Sequence, residues 1–334
     1  MKGRFAAYPR RVRVFLTGGT GFIGGEVARL LRERGDDVRA LVRTPAKAAA
    51  LRDAGCELVE GDLSDESALR DALAGCDAVV HAAALYEVGV PDSGRERMVD
   101  ANVRGTERVL GAALAAGVRK AVYVSSIVVF GNTRGEVADD DYLRPDGLRF
   151  TSLYEQTKVE AHQRAKEIAA RGLPLVIVQP GTVYGPGDTS EFGQLAQRLL
   201  KGQLPALPFP DLGVVPVHRD DVASGILLAL DKGTPGESYV LGTEPVRVGD
   251  YLARLAAVAG KRPPRFTVPT PLIKAMVPFG RVVGPLLGFP PNLRELVSSS
   301  DGVTFWATSP KAQRELGWTP RSLEEGFRTM VSGS

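Results

Sequence analysis

The sequence is poor in the residues that mark several large classes of protein. It has 334 residues but only two cysteines, Cys56 and Cys76, which stand in no metal-ligand or CxxC spacing. We therefore expect neither a disulfide framework nor a metal site, and a reducing, cytoplasmic location. The sequence has no signal-peptide pattern and no uninterrupted apolar run of about 18 residues, so we expect no membrane-spanning helix.

An excess of charge of one sign is also missing. The formal net charge is only +3, from 42 basic and 39 acidic residues spread along the chain. A nucleic-acid-binding protein usually gathers its basic residues into a patch, so we expect no nucleic-acid partner. Apolar residues make up 44% of the chain, enough for a sizeable core. We expect a globular protein whose partner is a small molecule.

The first half of the chain alternates short β-branched runs with helical patterns, which predicts a parallel sheet covered on both faces. Strands are predicted at Val12–Leu16, Val38–Val42, Glu57–Glu60, Ala78–His81, Ala121–Ser125 and Leu175–Gln179. Helices are predicted at Ile23–Arg34, Ser67–Leu73, Asn102–Ala116 and Tyr154–Arg171. The fold class is therefore α/β, a Rossmann-type doubly wound parallel sheet.

After Gly181 glycine and proline become frequent and the helical segments become shorter. We predict that residues 1–181 form the nucleotide-binding domain. A smaller C-terminal α/β substrate lobe is predicted in 182–212 and 243–334. Residues 213–242 are predicted to cross back to the first domain, where a strand at Ser238–Leu241 joins its sheet.

The first strand leads into a glycine-rich turn with the sequence TGGTGFIG. Glycines at this spacing allow a tight turn and a close approach of the backbone to a pyrophosphate, and the next helix presents its N-terminal amides to the phosphates. The motif follows a strand and opens a helix, which is the context that dinucleotide binding requires. The predicted cofactor contacts here are Gly18, Thr20, Gly21, Phe22, Ile23 and Gly24.

The end of the second strand indicates which dinucleotide binds. An acidic residue there would hold the ribose 2′-hydroxyl of NAD, whereas an arginine can pair with the 2′-phosphate of NADP. Val42 takes the expected acidic position, Arg43 follows it, and Lys47 adds a positive charge. We predict NADP, with NAD as the open alternative.

A tyrosine and a lysine stand four residues apart at Tyr154 and Lys158, which places both side chains on one face of a helix. An ammonium group near a phenol favours the phenolate and lowers the phenol's pKa toward the working range. The pair follows Ser125 and Ser126, at the end of a strand, by about 28 residues, a separation that fits a site assembled in space.

These motifs together resemble the short-chain dehydrogenase/reductase family, and TGGTGFIG resembles its extended, epimerase/dehydratase branch. The resemblance covers nearly the whole chain. It implies that Ser126 holds the substrate carbonyl, that Tyr154 transfers the proton, and that Lys158 binds the nicotinamide ribose and tunes Tyr154. It also implies further cofactor contacts at Asp62, Leu63, Ala82, Ala83, Ala84, Asn102, Ser125, Tyr154, Lys158, Pro180, Gly181 and Val183. We interpret His81 as a structural histidine rather than a catalyst.

The branch of the family follows from what surrounds the catalytic group. Ile127 and Val128 stand where family dehydratases carry carboxylates, and the stretch before His218 lacks the arginine typical of sugar-nucleotide enzymes. The nearest resemblance is to the dihydroflavonol-4-reductase-like subgroup, which implies reduction of a carbonyl on a relatively apolar molecule. Tyr86, Phe130 and Tyr184 are candidate substrate contacts, although ordinary core packing explains each of them equally well.

Other interpretations stay open from the sequence. The same catalytic group would serve a sugar-nucleotide epimerase with transiently used NAD(P), and atypical family members are non-catalytic dinucleotide sensors. The resemblance implies a homodimer formed through the helices Asn102–Ala116 and Tyr154–Arg171. The proline-rich stretch 268–291 is either a lid over the pocket or a contact with a membrane surface.

Overall fold

A computed structural model describes residues 11–280 and 289–332 of the chain. Its strands are β1 Arg13–Thr17, β2 Asp37–Val42, β3 Glu57–Glu60, β4 Ala78–His81, β5 Lys120–Val124, β6 Leu175–Pro180, β7 Thr182–Tyr184, β8 Ala206–Pro208, β9 Gly213–Val214, β10 Pro216–His218, β11 Ser238–Leu241, β12 Val246–Arg247 and β13 Phe266–Val268. Its helices are α1 Phe22–Glu33, α2 Ala49–Asp53, α3 Glu66–Leu73, α4 Asp92–Val99, α5 Gly105–Ala115, α6 Leu153–Ala170, α7 Glu191–Leu200, α8 Arg219–Lys232, α9 Val248–Val258, α10 Thr270–Met276, α11 Leu293–Ser300 and α12 Leu323–Ser332.

Seven strands form one parallel sheet in the order β11-β6-β5-β4-β1-β2-β3. The order reverses beside β1, and at such a point the loops after neighbouring strands separate and leave a crevice for a ligand. The predicted Rossmann-type sheet is confirmed, and the predicted strand at Ser238–Leu241 joins its edge beside β6. The crevice lies at the carboxyl ends of β1 and β4, where the glycine turn and residues 82–84 begin.

Each face of the sheet is covered by its own apolar cluster. On one face α1 and α8 pack against alternate strand residues, and Ala312, Leu316 and Trp318 from the part of the chain predicted as the lobe join them. On the other face α3, α5 and α6 cover the strands. Every residue of β5 and β6 is buried because helices cover both faces of the sheet, and the sequences of the two strands are accordingly mainly apolar.

A third apolar cluster lies away from the sheet. It joins β7 to the helices α7, α9 and α12, with Tyr251, Leu252 and Phe327 fully buried at its centre. Three two-stranded pairings stabilise this region. They join β7 to β10, which directly precedes α8, β9 to β12, and β8 to β13.

The predicted helix Asn102–Ala116 starts earlier than the sequence pattern indicated. Helical structure begins at Asp92 and runs through a π-helical turn, Asp100–Arg104, directly into α5. The sequence pattern does not predict the first turns, because α4 is mostly polar, with Met98 as its buried residue, and therefore shows no apolar periodicity. The π turn holds Asn102 and Val103 buried.

No helix in the described part of the chain is long and apolar enough to span a membrane. Of the stretch 268–291, residues 281–288 lie outside the described residues, as do 1–10 and 333–334 of the predicted domains. The choice between a lid and a membrane contact therefore stays a prediction.

Candidate active site

The glycine turn is shaped by close backbone contacts. Gly18 has a φ of +75°, and a Cβ on it would lie 2.6 Å from the amide nitrogen of Ala83. A Cβ on Gly24 would lie 2.2 Å from the carbonyl oxygen of Gly18. Both distances are shorter than any normal contact, so only glycine fits at these positions. The turn after β1 is thus packed directly against the turn after β4.

The helix that follows the turn begins without a capping side chain. Gly21 is the N-cap of α1, and no side chain accepts a hydrogen bond from the first-turn amides among the described residues. These amides and the positive end of the helix dipole are therefore available to an anion. Phe22 lies beside them, with the guanidinium of Arg219 5.3 Å from its ring centre, a contact that could not be predicted from the sequence.

The predicted positive charges at the end of β2 are exposed. Val42 is buried at the strand end, whereas Arg43 and Lys47 lie on the surface. Within residues 11–280 and 289–332, the side chain of neither residue makes a hydrogen bond or an ion pair. Asp62, predicted to contact adenine, is also exposed and accepts hydrogen bonds from the amide and hydroxyl of Ser64. Leu63 packs beside Gly105 at the start of α5.

The segment after β6 is fitted as closely as the glycine turn. A Cβ on Gly181 would lie 2.0 Å from the carbonyl oxygen of Val215, and the Gly181 amide donates to Leu241 O at 2.9 Å. Pro180 ends β6 and Val183 is half-buried in β7, so this segment lies at the carboxyl edge of the sheet. Ala82, Ala83 and Ala84 lie at the same edge and are partly or fully exposed.

The three predicted catalytic residues come from two elements. Ser126 follows β5 and begins a short 3-10 turn, where its Oγ accepts a hydrogen bond from Val128 N at 3.3 Å. Tyr154 and Lys158 lie in the first two turns of α6, whose N-cap is Ser152, because the Ser152 hydroxyl accepts from the Glu155 amide. A hydrogen bond between the side chains of Ser126 and Tyr154 lowers the pKa of Tyr154.

The pKa of Tyr154 differs from the expectation. Burial raises it to about 12, more than the hydrogen bond from Ser126 offsets. The Lys158 ammonium, which the spacing predicted to lower it, donates to Val124 O at 2.9 Å. Burial lowers the pKa of Lys158 itself to about 7. At neutral pH the phenol therefore carries its proton, and the lysine titrates.

Lys158 rests on a buried network that the sequence did not reveal. Its Nζ lies 3.4 Å from the hydroxyl of Tyr123 and 5.1 Å from the ring centre, and His81 stacks on the same ring at 5.6 Å. Thr106 Oγ1 donates to Asn102 O, so it accepts from His81 Nε2, and His81 Nδ1 in turn accepts from Thr17 Oγ1 at 2.7 Å. Burial lowers the pKa of His81 to about 3, which keeps it neutral and structural, as we predicted.

Asn102 joins the cofactor-side loop to α6. Its side-chain amide donates to Leu85 O at 2.9 Å and to Thr157 Oγ1 at 3.0 Å, and its Oδ1 accepts from Leu85 N at 2.7 Å. Thr157 lies between Tyr154 and Lys158 in the helix. The π turn therefore gives Asn102 a supporting position between the loop after β4 and the catalytic helix.

A buried ion pair anchors the loop in front of α6. Arg144 donates to Glu155 at 2.6 Å, and Glu155, which is 1% exposed, also accepts from the Thr151 amide. Sequence reasoning missed both partners. Glu155 adjoins Tyr154, so the pair fixes the first turn of the catalytic helix.

Of the three candidate substrate contacts, only Tyr86 lies at the catalytic group. Its ring meets Tyr154 edge-on at 4.8 Å, and it is 49% exposed. Phe130 is buried against Tyr142 in a separate cluster, and Tyr184 is buried among Tyr251 and Phe327 in the third apolar cluster. The interpretation of Phe130 and Tyr184 as pocket residues is therefore wrong, because their side chains point into the core.

Tyr86 is part of a cleft of about 260 Å³. Its described lining comes from three segments: Tyr86, Glu87, Val88, Gly89, Val90 and Pro91; Thr189, Ser190, Glu191 and Gln194; and Pro290 and Pro291. Among the described residues, no group of three histidine, cysteine or acidic side chains is placed to hold a metal ion.

The chain is similar to known proteins over most of its length. The model of the NAD dependent epimerase/dehydratase family matches residues 14–242. A Synechocystis protein named "Putative dihydroflavonol 4-reductase" is 36% identical over 326 residues, covering 95% of this chain and 93% of the relative. Sterol demethylase protein B of Methylococcus capsulatus is 32% identical, covering 95% and 96%. The crystal structure of gox2253 is 34% identical with a TM-score of 0.81, covering 96% and 97%.

Proposed function

The chain belongs to the NAD dependent epimerase/dehydratase family, and on that premise we propose that it reduces a ketone or aldehyde on a relatively apolar small molecule with NADPH. The observation that carries the proposal is the meeting of the Ser126 and Tyr154 hydroxyls beside the cleft that Tyr86 lines. The relative named as a dihydroflavonol 4-reductase supports reduction, and the relative named for sterol demethylation supports an apolar substrate.

The glycine turn fits a dinucleotide. Gly18 and Gly24 let the backbone of the turn pack more closely than any Cβ would allow, and the first amides of α1 that follow the turn have no side-chain cap. Pyrophosphate is the group that such a turn accommodates. The residues proposed to hold the cofactor are the turn itself, Ala82–Ala84, Lys158 and the segment from Pro180 to Val183. When bound, the nicotinamide supplies the hydride.

We propose NADPH rather than NADH because of the charges at the end of β2. Arg43 and Lys47 are exposed and their side chains carry no hydrogen bond or ion pair in the described part of the chain, so both charges are available to a phosphate. Val42, at the position where an acidic residue would bind a ribose hydroxyl, is apolar and buried. An arginine at this place suits the 2′-phosphate of NADP.

The catalytic roles follow from the hydrogen bonds. The Ser126 oxygen accepts from Val128 N, which leaves its hydroxyl proton to donate to a carbonyl oxygen. Tyr154 shares that carbonyl oxygen and gives it a proton as negative charge develops there. The ammonium of Lys158 holds the ribose and supplies positive charge beneath the phenol. The high pKa of Tyr154 keeps the proton in place at neutral pH, which suits reduction rather than oxidation.

The proposal is tested by NADPH oxidation with a panel of aromatic and alicyclic ketones and aldehydes. We expect Tyr154→Phe to reduce kcat by at least about a thousandfold, the effect of losing a positioned general acid, while the Kd for NADPH changes less than about threefold. Tyr142→Phe, at a tyrosine outside the catalytic group, is the matched control and keeps its activity. Full turnover by the Tyr154→Phe variant would disprove the proposed role.

A further inference from the structure

The cleft beside the catalytic group places constraints on the substrate. Tyr86 belongs to its wall and also meets the ring of Tyr154 at 4.8 Å. A molecule whose carbonyl lies at Tyr154 therefore extends past Tyr86 into the cleft. The cleft, and not the catalytic group, contacts the part of the substrate that does not react.

Most of the cleft wall is apolar. The apolar lining comes from Val88, Val90, Pro91, Pro290 and Pro291, together with the ring of Tyr86, which also contacts the ring of Tyr154. The proline and tyrosine side chains are stiff and present flat surfaces, which suit the face of a ring. The shape thus favours a compact apolar body.

The charge of the cleft is negative. It has two carboxylates, and no lysine or arginine is among its described lining residues. Glu87 is neutralised by Arg97, whose guanidinium donates to both of its oxygens at 3.0 and 3.3 Å. The Glu191 carboxylate makes no hydrogen bond or ion pair within the described residues. Burial and, to a smaller extent, the nearby Glu295 raise the pKa of Glu191.

The helix that contributes Glu191 does not offset this charge. Glu191 is the first residue of α7, where amides and the helix dipole would otherwise attract an anion. The Ser190 hydroxyl already accepts a hydrogen bond from the Gly193 amide, and the Glu191 carboxylate opposes the positive end of the dipole. The Ser190 cap and the Glu191 carboxylate therefore both weaken the attraction of this helix end for a substrate carboxylate or phosphate.

We infer that Glu191 is a specificity-determining residue that excludes anionic substrates, so that the cleft takes uncharged or cationic carbonyl compounds. The inference deepens the proposed carbonyl reduction and rests on it. It separates this chain from enzymes that reduce keto acids, acyl thioesters with phosphate groups, or nucleotide sugars, since all of these bring negative charge to the place that Glu191 faces.

The test uses three aryl ketones that differ only in the charge at one position: 4-acetylbenzoate, its methyl ester and 4-acetylphenyl-trimethylammonium. At about pH 7, where a carboxyl group is normally ionised, we expect the anion to have a kcat/KM about tenfold below that of the ester, and the cation to equal or exceed the ester. Glu191→Gln is expected to raise kcat/KM for the anion about fivefold and to change that for the ester less than about twofold. Glu191→Lys should reverse the order of anion and cation.

Glu66→Gln is the matched control, because Glu66 is an exposed carboxylate on α3 outside the cleft lining. It should leave all three values unchanged. Equal kcat/KM for anion and ester in the wild type, or a Glu191→Gln variant that treats the anion as the wild type does, overturns the inference.

Binding of the same ketones to the NADPH-loaded protein, measured by calorimetry, separates this inference from the proposed function. If the ketones bind in the expected order of charge and Glu191→Gln weakens that order, but none is reduced, the inference holds and the proposed reduction fails. If they are reduced without any preference by charge, the proposed reduction holds and the inference fails. If none binds, the cleft is not a ketone site and the inference is overturned.

Discussion

Replacing Tyr123 by phenylalanine isolates one contact of the catalytic lysine. Tyr123 is 1% exposed, and its hydroxyl oxygen lies 3.4 Å from Lys158 Nζ. Phenylalanine keeps the ring on which the ammonium rests and removes only the acceptor. An acceptor favours the charged lysine, so its loss must lower the pKa of Lys158 further below about 7.

The size of this shift follows from the geometry. Hydrogen bonds to charged groups contribute about 1.5–3 kcal/mol, and at 3.4 Å the contact is at the long limit, so we take about 1 kcal/mol. One pKa unit corresponds to about 1.36 kcal/mol, which gives a shift of about 0.7 units. The ammonium is the form present below the pKa. Activity that needs it is therefore complete at low pH, falls as pH rises through about 7, and in the variant falls earlier.

The assay is the pH profile of kcat/KM for NADPH, which reports the pKa values of ionisable groups in the free enzyme. We expect the variant to match the wild type near pH 5.5 and to be about fivefold slower near pH 8, as a 0.7-unit shift requires. Tyr239→Phe is the control: Tyr239 lies in β11 and its hydroxyl donates to Glu315, so the loss of this hydroxyl affects stability but not the pH profile. An unchanged profile for Tyr123→Phe, or a shift to higher pH, would refute the role of this hydroxyl.

Two further substitutions test the cofactor site. Gly24→Ala puts a Cβ 2.2 Å from Gly18 O, so we expect at least about a tenfold loss in NADPH affinity by fluorescence titration, whereas in Gly25→Ala the nearest atom lies at 3.4 Å and affinity is retained. Equal affinities of the two variants would contradict the fit of the turn. Arg43→Glu should lower kcat/KM for NADPH by at least about tenfold and leave that for NADH unchanged, because a carboxylate repels the 2′-phosphate. An equal fall in kcat/KM for NADPH and for NADH would contradict this role and indicate a structural one for Arg43.

The sequence predicted the parts of the site that depend on local spacing. Three glycines at this spacing between a strand and a helix indicate dinucleotide binding. A tyrosine and a lysine four residues apart lie on one face of a helix because of helix geometry. The network behind Lys158 could not be predicted in this way. Tyr123, His81 and Thr106 come from three different elements, and only their packing in the sheet brings them together.

The errors have a common physical origin. Phe130 and Tyr184 follow predicted strands at the expected edge, but the direction of a side chain there depends on which element packs on it. Tyr184 is turned inward by contacts with α9 and α12, which are distant in the sequence. Glu191 stands in a glycine-rich region without periodicity, so only the structure places it in the cleft.

The π turn at Asp100–Arg104 fixes the length of the helical segment that contains it. It holds one residue more than an α-helical turn would, and each residue turns an α-helix by about 100°. Deleting one residue there would rotate either Met98 or Leu110 out of its buried site, although both are needed in apolar clusters. An insertion or deletion between Asp92 and Ala116 is therefore expected to disturb one of these clusters, and a designer who regularised this helix would remove Asn102 from its place beside α6.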